Sequence, residues 1–276
     1  MKIFIGTLDT IAFVLYMVCI ALNGLVAMGL IFRKNDNKRA DYFMAFMLLA
    51  FALTCVHHVL ALRNVFDNDP QWLFVPVYMT LALGTSLFFA VKLRLYPHYR
   101  FTGSDLKHFV LPAGQWLYFV ILFFGFSVAY RQGLGRRFYS PFYGGLEMAL
   151  YIATFYLYLF GAYRYTQLKI SALRKNKEGG RPMFEALVLR RMLRVMIILF
   201  WINSAYIIID FALYELLRLD MHDYRGFTRF GDFSFAAMAG WAGLSGGYLL
   251  VQLPYLNSSK LVFSFFKKIL NKKAGR

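Results

Sequence analysis

Seven stretches of about 20 apolar residues each dominate this 276-residue chain and restrict its fold more than any other feature. They run approximately over Thr10–Phe32, Tyr42–Leu62, Trp72–Val91, Phe109–Tyr130, Tyr143–Tyr163, Leu193–Leu217 and Phe233–Leu253. An α-helix rises 1.5 Å per residue, so about 20 residues cross a hydrocarbon core about 30 Å thick. Composition points the same way. The chain is 59% apolar and 16% charged, whereas soluble domains hold roughly 45–50% and about 25%. Mean hydropathy is +0.51. These values exclude a disordered chain, a collagen-like repeat, a disulfide scaffold and a water-soluble globular enzyme. The connections are too short for a second folded unit. The expected fold is therefore all-α: a polytopic seven-helix transmembrane domain over residues 1–256, followed by a basic tail over 257–276. The first stretch is expected to stay as helix one. Asp9 precedes it, it is long enough to span, and no small-residue cleavage site follows.

The net charge of +17 acquires meaning when it is divided by side. Loops one, three and five with the tail hold 23 of the 31 Lys and Arg; the N-terminus and the other loops hold 8. The positive-inside rule then predicts the N-terminus outside and the C-terminus in the cytoplasm. Nine of the 14 acids lean outward: Asp9, Asp67, Asp69, Glu147, Asp210, Glu215, Asp220, Asp223 and Asp232. The split is about +18 inside and −1 outside. Such charge records orientation, and nucleic acid is not expected as a partner because the bases are spread over several short loops.

On the basic side, Gly179, Gly180, Arg181 and Pro182 should break the extension of helix five. Pro182 suits the first turn of the next helix, which should begin in the cytoplasm near Met183. The tail from Ser258 to Lys273 is a short apolar stretch with basic flanks. It fits an in-plane helix on anionic lipid headgroups.

Ionisable groups inside spans are costly, so each is a candidate functional position. His57 and His58 fall near the outer end of helix two, Glu147 about one turn into helix five, and Asp210 and Glu215 in the outer third of helix six. Two helices carry polar stripes. Asn203, Tyr206, Asp210 and Tyr214 share one face of helix six, and Glu147, Tyr151, Thr154 and Tyr158 share one face of helix five. If these faces converge, they line a pocket open to the outside. The candidate ligand-binding set is His57, His58, Glu147, Tyr151, Tyr206 and Asp210. The competing reading is structural, since buried polar pairs also hold helices together. In helix seven, Ala236, Gly240, Gly243 and Gly247 share a face whose small residues allow close helix packing.

Several chemistries lack their residues. Gly243 to Gly247 superficially matches the G-x-S-G of rhomboid proteases, but no histidine follows Ser245. Clustered histidine boxes need about eight histidines and the chain has five: His57, His58, His98, His108 and His222. Adjacent His57 and His58 point about 100° apart on a helix, poor geometry for one metal. Helix seven has no lysine for a retinal Schiff base, and no nucleotide fingerprint appears. Cys19 and Cys55 lie within spans and imply packing rather than a disulfide framework or metal cluster. Catalytic residues, cofactors and metals are accordingly not expected.

Three stretches carry a family resemblance. Arg33 to Asp41 is a basic, Asn-containing connection before helix two. Gly84 to Lys92 resembles a Gly-Pro-Leu-Leu-Tyr-type end of helix three, with Thr85 in place of the proline. Leu106 to Pro112 resembles the Leu-x-His-Phe-Leu-Pro start of helix four, with one extra residue between His108 and Pro112. Together they resemble the seven-span sensor region that precedes the DNA-binding domain of bacterial AraC-type membrane-bound regulators. The resemblance covers about half the chain, and no helix-turn-helix domain follows within the 276 residues. It implies a sensor scaffold in a bacterial inner membrane, signalling through a protein partner. The expected function is a non-enzymatic receptor or sensor module with a small ligand in its outer half. The alternatives are a structural or accessory subunit of a larger membrane complex, with aromatic surface and loop five as contacts, or a small membrane enzyme or transporter.

Overall fold

The computed structural model describes residues 2–34, 37–134, 144–177, 180–219, 221 and 224–273. Asp220, His222 and Asp223 of the sixth connection and residues 274–276 lie outside them, as do the side chains of residues 252–273. Every regular element among the described residues is helical. Seven long helices follow one another: α1 Lys2–Phe32, α2 Lys38–Leu62, α3 Thr80–Leu95, α4 Val110–Gly125, α5 Gly145–Lys175, α6 Arg181–Leu217 and α7 Arg225–Lys273. Among the described residues, six helical segments are long and apolar enough to cross a membrane.

The exception is α3. The sequence predicts a span over Trp72–Val91, yet the helix begins only at Thr80. Pro70–Trp72 forms a short 3-10 turn, and Phe74 has φ of 64°, a left-handed conformation that no helix continues through. Pro76 falls in the same stretch. Hydropathy alone is blind to these interruptions. At 16 residues, α3 is about 24 Å long. It is also the most enclosed helix, with every residue from Thr80 to Leu95 buried except Phe88. The fourth predicted span stops early as well: α4 ends at Gly125, Phe126 is extended, and a separate short helix runs over Val128–Leu134.

Elsewhere the local signals act as the sequence predicts. α5 ends at Lys175, and α6 starts at Arg181 with Pro182 in its first turn. Gly180 has φ of +80°, which favours glycine. The α7 helix carries no break near residue 256 and extends over Arg225–Lys273.

Successive helices alternate in direction, and contacts fix the order. α1 and α7 run parallel. Along them, Cys19 meets Ala236, Asn23 donates to the Ala239 carbonyl, and Arg33 donates to the Leu249 carbonyl. The small-residue face makes this approach possible: a Cβ on Gly243 would lie 2.8 Å from Leu22, and one on Gly247 would lie 3.6 Å from Val26. One apolar core joins most of the bundle, with Phe51, Phe155, Phe200, Leu83 and Leu159 fully buried. One end of the bundle carries Asp41 and Arg94; the other carries Glu147 and Asp232.

Candidate functional site

At the Glu147 end, α2, α5, α6 and α7 converge with the start of α3 around a cavity of about 110 Å³. His58, Glu147, Tyr151 and Tyr206 all line it. The two polar stripes therefore do meet, through Glu147 and Tyr151 of α5 and Asn203 and Tyr206 of α6. His57 and Asp210 do not line it. His57 is turned toward the α2–α3 connection, its ring centroid 5.1 Å from Phe66 and 4.9 Å from Tyr78. Neighbouring residues on a helix point about 100° apart, so only one of the two histidines can face the cavity. Asp210 is buried one turn beyond Tyr206.

Glu147 sits in the first turn of α5, where the helix dipole favours a carboxylate. Gln115 of α4 fixes it. The Gln115 side-chain carbonyl accepts the backbone N–H of Leu81 at 3.0 Å, satisfying a donor that the start of α3 would otherwise leave open. This settles the amide orientation. Its NH₂ group then donates to Glu147 Oε1 at 2.6 Å and to Thr80 Oγ1 at 3.1 Å. Asn203 is held similarly, donating from Nδ2 to Ser234 Oγ at 2.9 Å.

These supports leave atoms over. Glu147 Oε2, Tyr151 Oη and Asn203 Oδ1 are buried and have no hydrogen-bond partner among the described residues. A buried polar group without a partner costs about 1–3 kcal/mol. All three belong to residues that line the same cavity.

Asp232, counted among the outward acids but not singled out as a site residue, forms the α1–α2–α7 corner of the cavity. Tyr16 Oη donates to Asp232 Oδ1 at 3.0 Å, Arg229 donates to Oδ2 at 2.5 Å, and His58 Nδ1 lies 3.6 Å away. Arg229 also pairs with Asp9 at 2.6 Å. Tyr16 and His58 stack with centroids 5.1 Å apart. Gly231 also lines the cavity, and a Cβ there would collide with the Tyr206 ring. The lone amide of Gln115 in an apolar helix, the Asn203 stripe and Asp232 at the head of α7 were signals in the sequence. Gly231 carried none.

Toward the opposite end the core closes. One turn below the cavity, Tyr151, Phe155 and Phe200 pack together, with Phe155 and Phe200 centroids 4.2 Å apart. At the Asp41 end, Arg94 pairs with Asp41, and Lys92 lies 3.7 Å from Asp105 and 3.7 Å above the Tyr99 ring. Asn37 donates to the Leu93 carbonyl, and Thr85 donates to the His108 carbonyl, so two of the stretches that carry the family resemblance are in contact. No protein-family model matches the chain, and no curated protein matches it.

Proposed function

We propose that the protein is a membrane-embedded receptor module that binds a small polar ligand in the cavity between Glu147, Tyr151, Asn203, Tyr206 and His58. Its N-terminus lies outside and its C-terminus lies in the cytoplasm, a reading supported by the Lys and Arg asymmetry under the positive-inside rule. The cavity then opens in the outer half. α3, with the non-helical residues 73–79 before it, makes the third of seven crossings. Irregular backbone at that depth is tolerated where it is enclosed by protein, and Thr54 of α2 accepts the Met79 N–H there. The basic inner face engages anionic lipid and a protein partner, in keeping with the sensor-like resemblance.

The observation that carries this reading is the trio of buried, unpartnered polar atoms on one cavity wall. A helix-gluing role predicts polar groups that answer each other, as Arg94 and Asp41 do. Native mass spectrometry of the full chain, extracted in mild detergent, tests the reading. A bound small molecule is expected in the wild type and is expected to be lost on Met148→Trp, which fills the cavity. Bare protein from every preparation, with no melting shift across a library of polar metabolites, would overturn it.

A further inference from the structure

The character of the lining narrows the guest further, and this step rests on the receptor reading. We propose that the cavity takes a small organic cation, a primary or substituted ammonium group, with Glu147 as its counter-ion. Glu147 has no cationic partner among the described residues. Its Oε1 is engaged by Gln115, and its Oε2 is the atom left over. Asp232, the second acid on the wall, is already answered by Arg229 and His58. The cavity thus presents one buried carboxyl group for which the described residues supply no cation. Burial makes an unpaired ion expensive and makes an incoming opposite charge correspondingly valuable.

The remaining walls suit the same guest. Tyr78, Tyr151, Tyr206 and Phe235 supply aromatic rings around the cavity, and ring faces attract ammonium groups. Asn203 Oδ1 is an unpartnered acceptor 3% exposed as a residue, and Tyr151, 5% exposed, offers a hydroxyl oxygen. A primary ammonium group carries three N–H donors and no acceptor, which matches the three leftover oxygens in number and kind. A carboxylate or phosphate guest would meet Glu147 as a like charge, and a neutral alcohol brings at most one donor. At about 110 Å³ the space holds a molecule of a few heavy atoms rather than a lipid or a nucleotide.

The test uses three probes of one size on the detergent-purified full chain at neutral pH: n-propylammonium chloride, 1-propanol and sodium propionate. Calorimetry is expected to give saturable binding for propylammonium, at least tenfold tighter than for propanol, with no binding of propionate. Glu147→Gln is expected to abolish that preference. The order among probes is read on the wild type, so it stands even if the variant folds poorly. Equal or tighter binding of propanol or propionate, lost on Met148→Trp, would overturn the cation assignment while leaving a ligand cavity in place. Binding of none of the three, with Met148→Trp melting like the wild type, would overturn both.

Discussion

At the Asp41 end of the bundle, ionised side chains face ionised side chains: Arg94 meets Asp41, and Lys92 meets Asp105 beneath the Tyr99 ring. At the Glu147 end, one corner is closed in the same manner by Asp9, Arg229 and Asp232, but the wall beside it keeps one carboxyl oxygen, a phenol oxygen and an amide oxygen without protein partners. Both ends bury polar groups in an apolar surrounding. Both use some of them to join helices, and the Glu147 end in addition sets three unpartnered atoms on residues lining one cavity. Polarity inside a membrane protein is therefore not by itself a sign of function; polarity left unanswered by the protein is the more telling feature.

This contrast is most exposed at Arg94. Arg94→Leu removes the buried guanidinium that pairs with Asp41, whose side chain is 1% exposed, and removing one partner of a buried pair costs about 3–5 kcal/mol. An unfolding titration in detergent should show a loss of that size, and most of it should return in the double variant Arg94→Met, Asp41→Leu. A smaller loss is expected at the closed corner of the other end. Asp232→Asn weakens hydrogen bonds from Arg229 and Tyr16 but leaves Arg229 its pair with Asp9. Hydrogen bonds to charged groups contribute about 1.5–3 kcal/mol each, so a loss near the lower figure is expected by the same titration. Smaller again is Tyr158→Phe. It removes the 3.0 Å contact with His108 Nδ1, on the same α5 stripe as Glu147 but away from the cavity, and should cost about 0.5–1.5 kcal/mol.

Much of this architecture is written in local sequence. The existence of most long helices follows from apolar runs, the α5–α6 break from Gly180 and Pro182, and the α1–α7 approach from Gly243 and Gly247. Helical periodicity also places Glu147 and Tyr151 on one face, and Asn203 and Tyr206 on another. Three things were not legible. The late start of α3 depends on the backbone at Phe74, and apolar residues in an irregular segment read like apolar residues in a helix. The choice between His57 and His58, and between Asp210 and Asp232, depends on helix rotation, which is set by packing against neighbours rather than by either helix alone. Gly231 owes its place to the Tyr206 ring, a contact between α6 and α7 that no single segment encodes.

The most direct measurement is the stability of the ligand-free full chain carrying Glu147→Met with Tyr151→Phe. These changes delete two buried atoms that have no protein partner at the loss of one hydrogen bond, from Gln115 to Glu147 Oε1, while Gln115 keeps its bonds to Leu81 and Thr80. If the wall is shaped for a guest, removing the unanswered groups relieves a cost the empty protein carries, and stability should rise by about 1–3 kcal/mol. A fall of similar size would mean that Glu147 and Tyr151 hold the bundle together as Arg94 and Asp41 do, and would contradict a ligand site at this end.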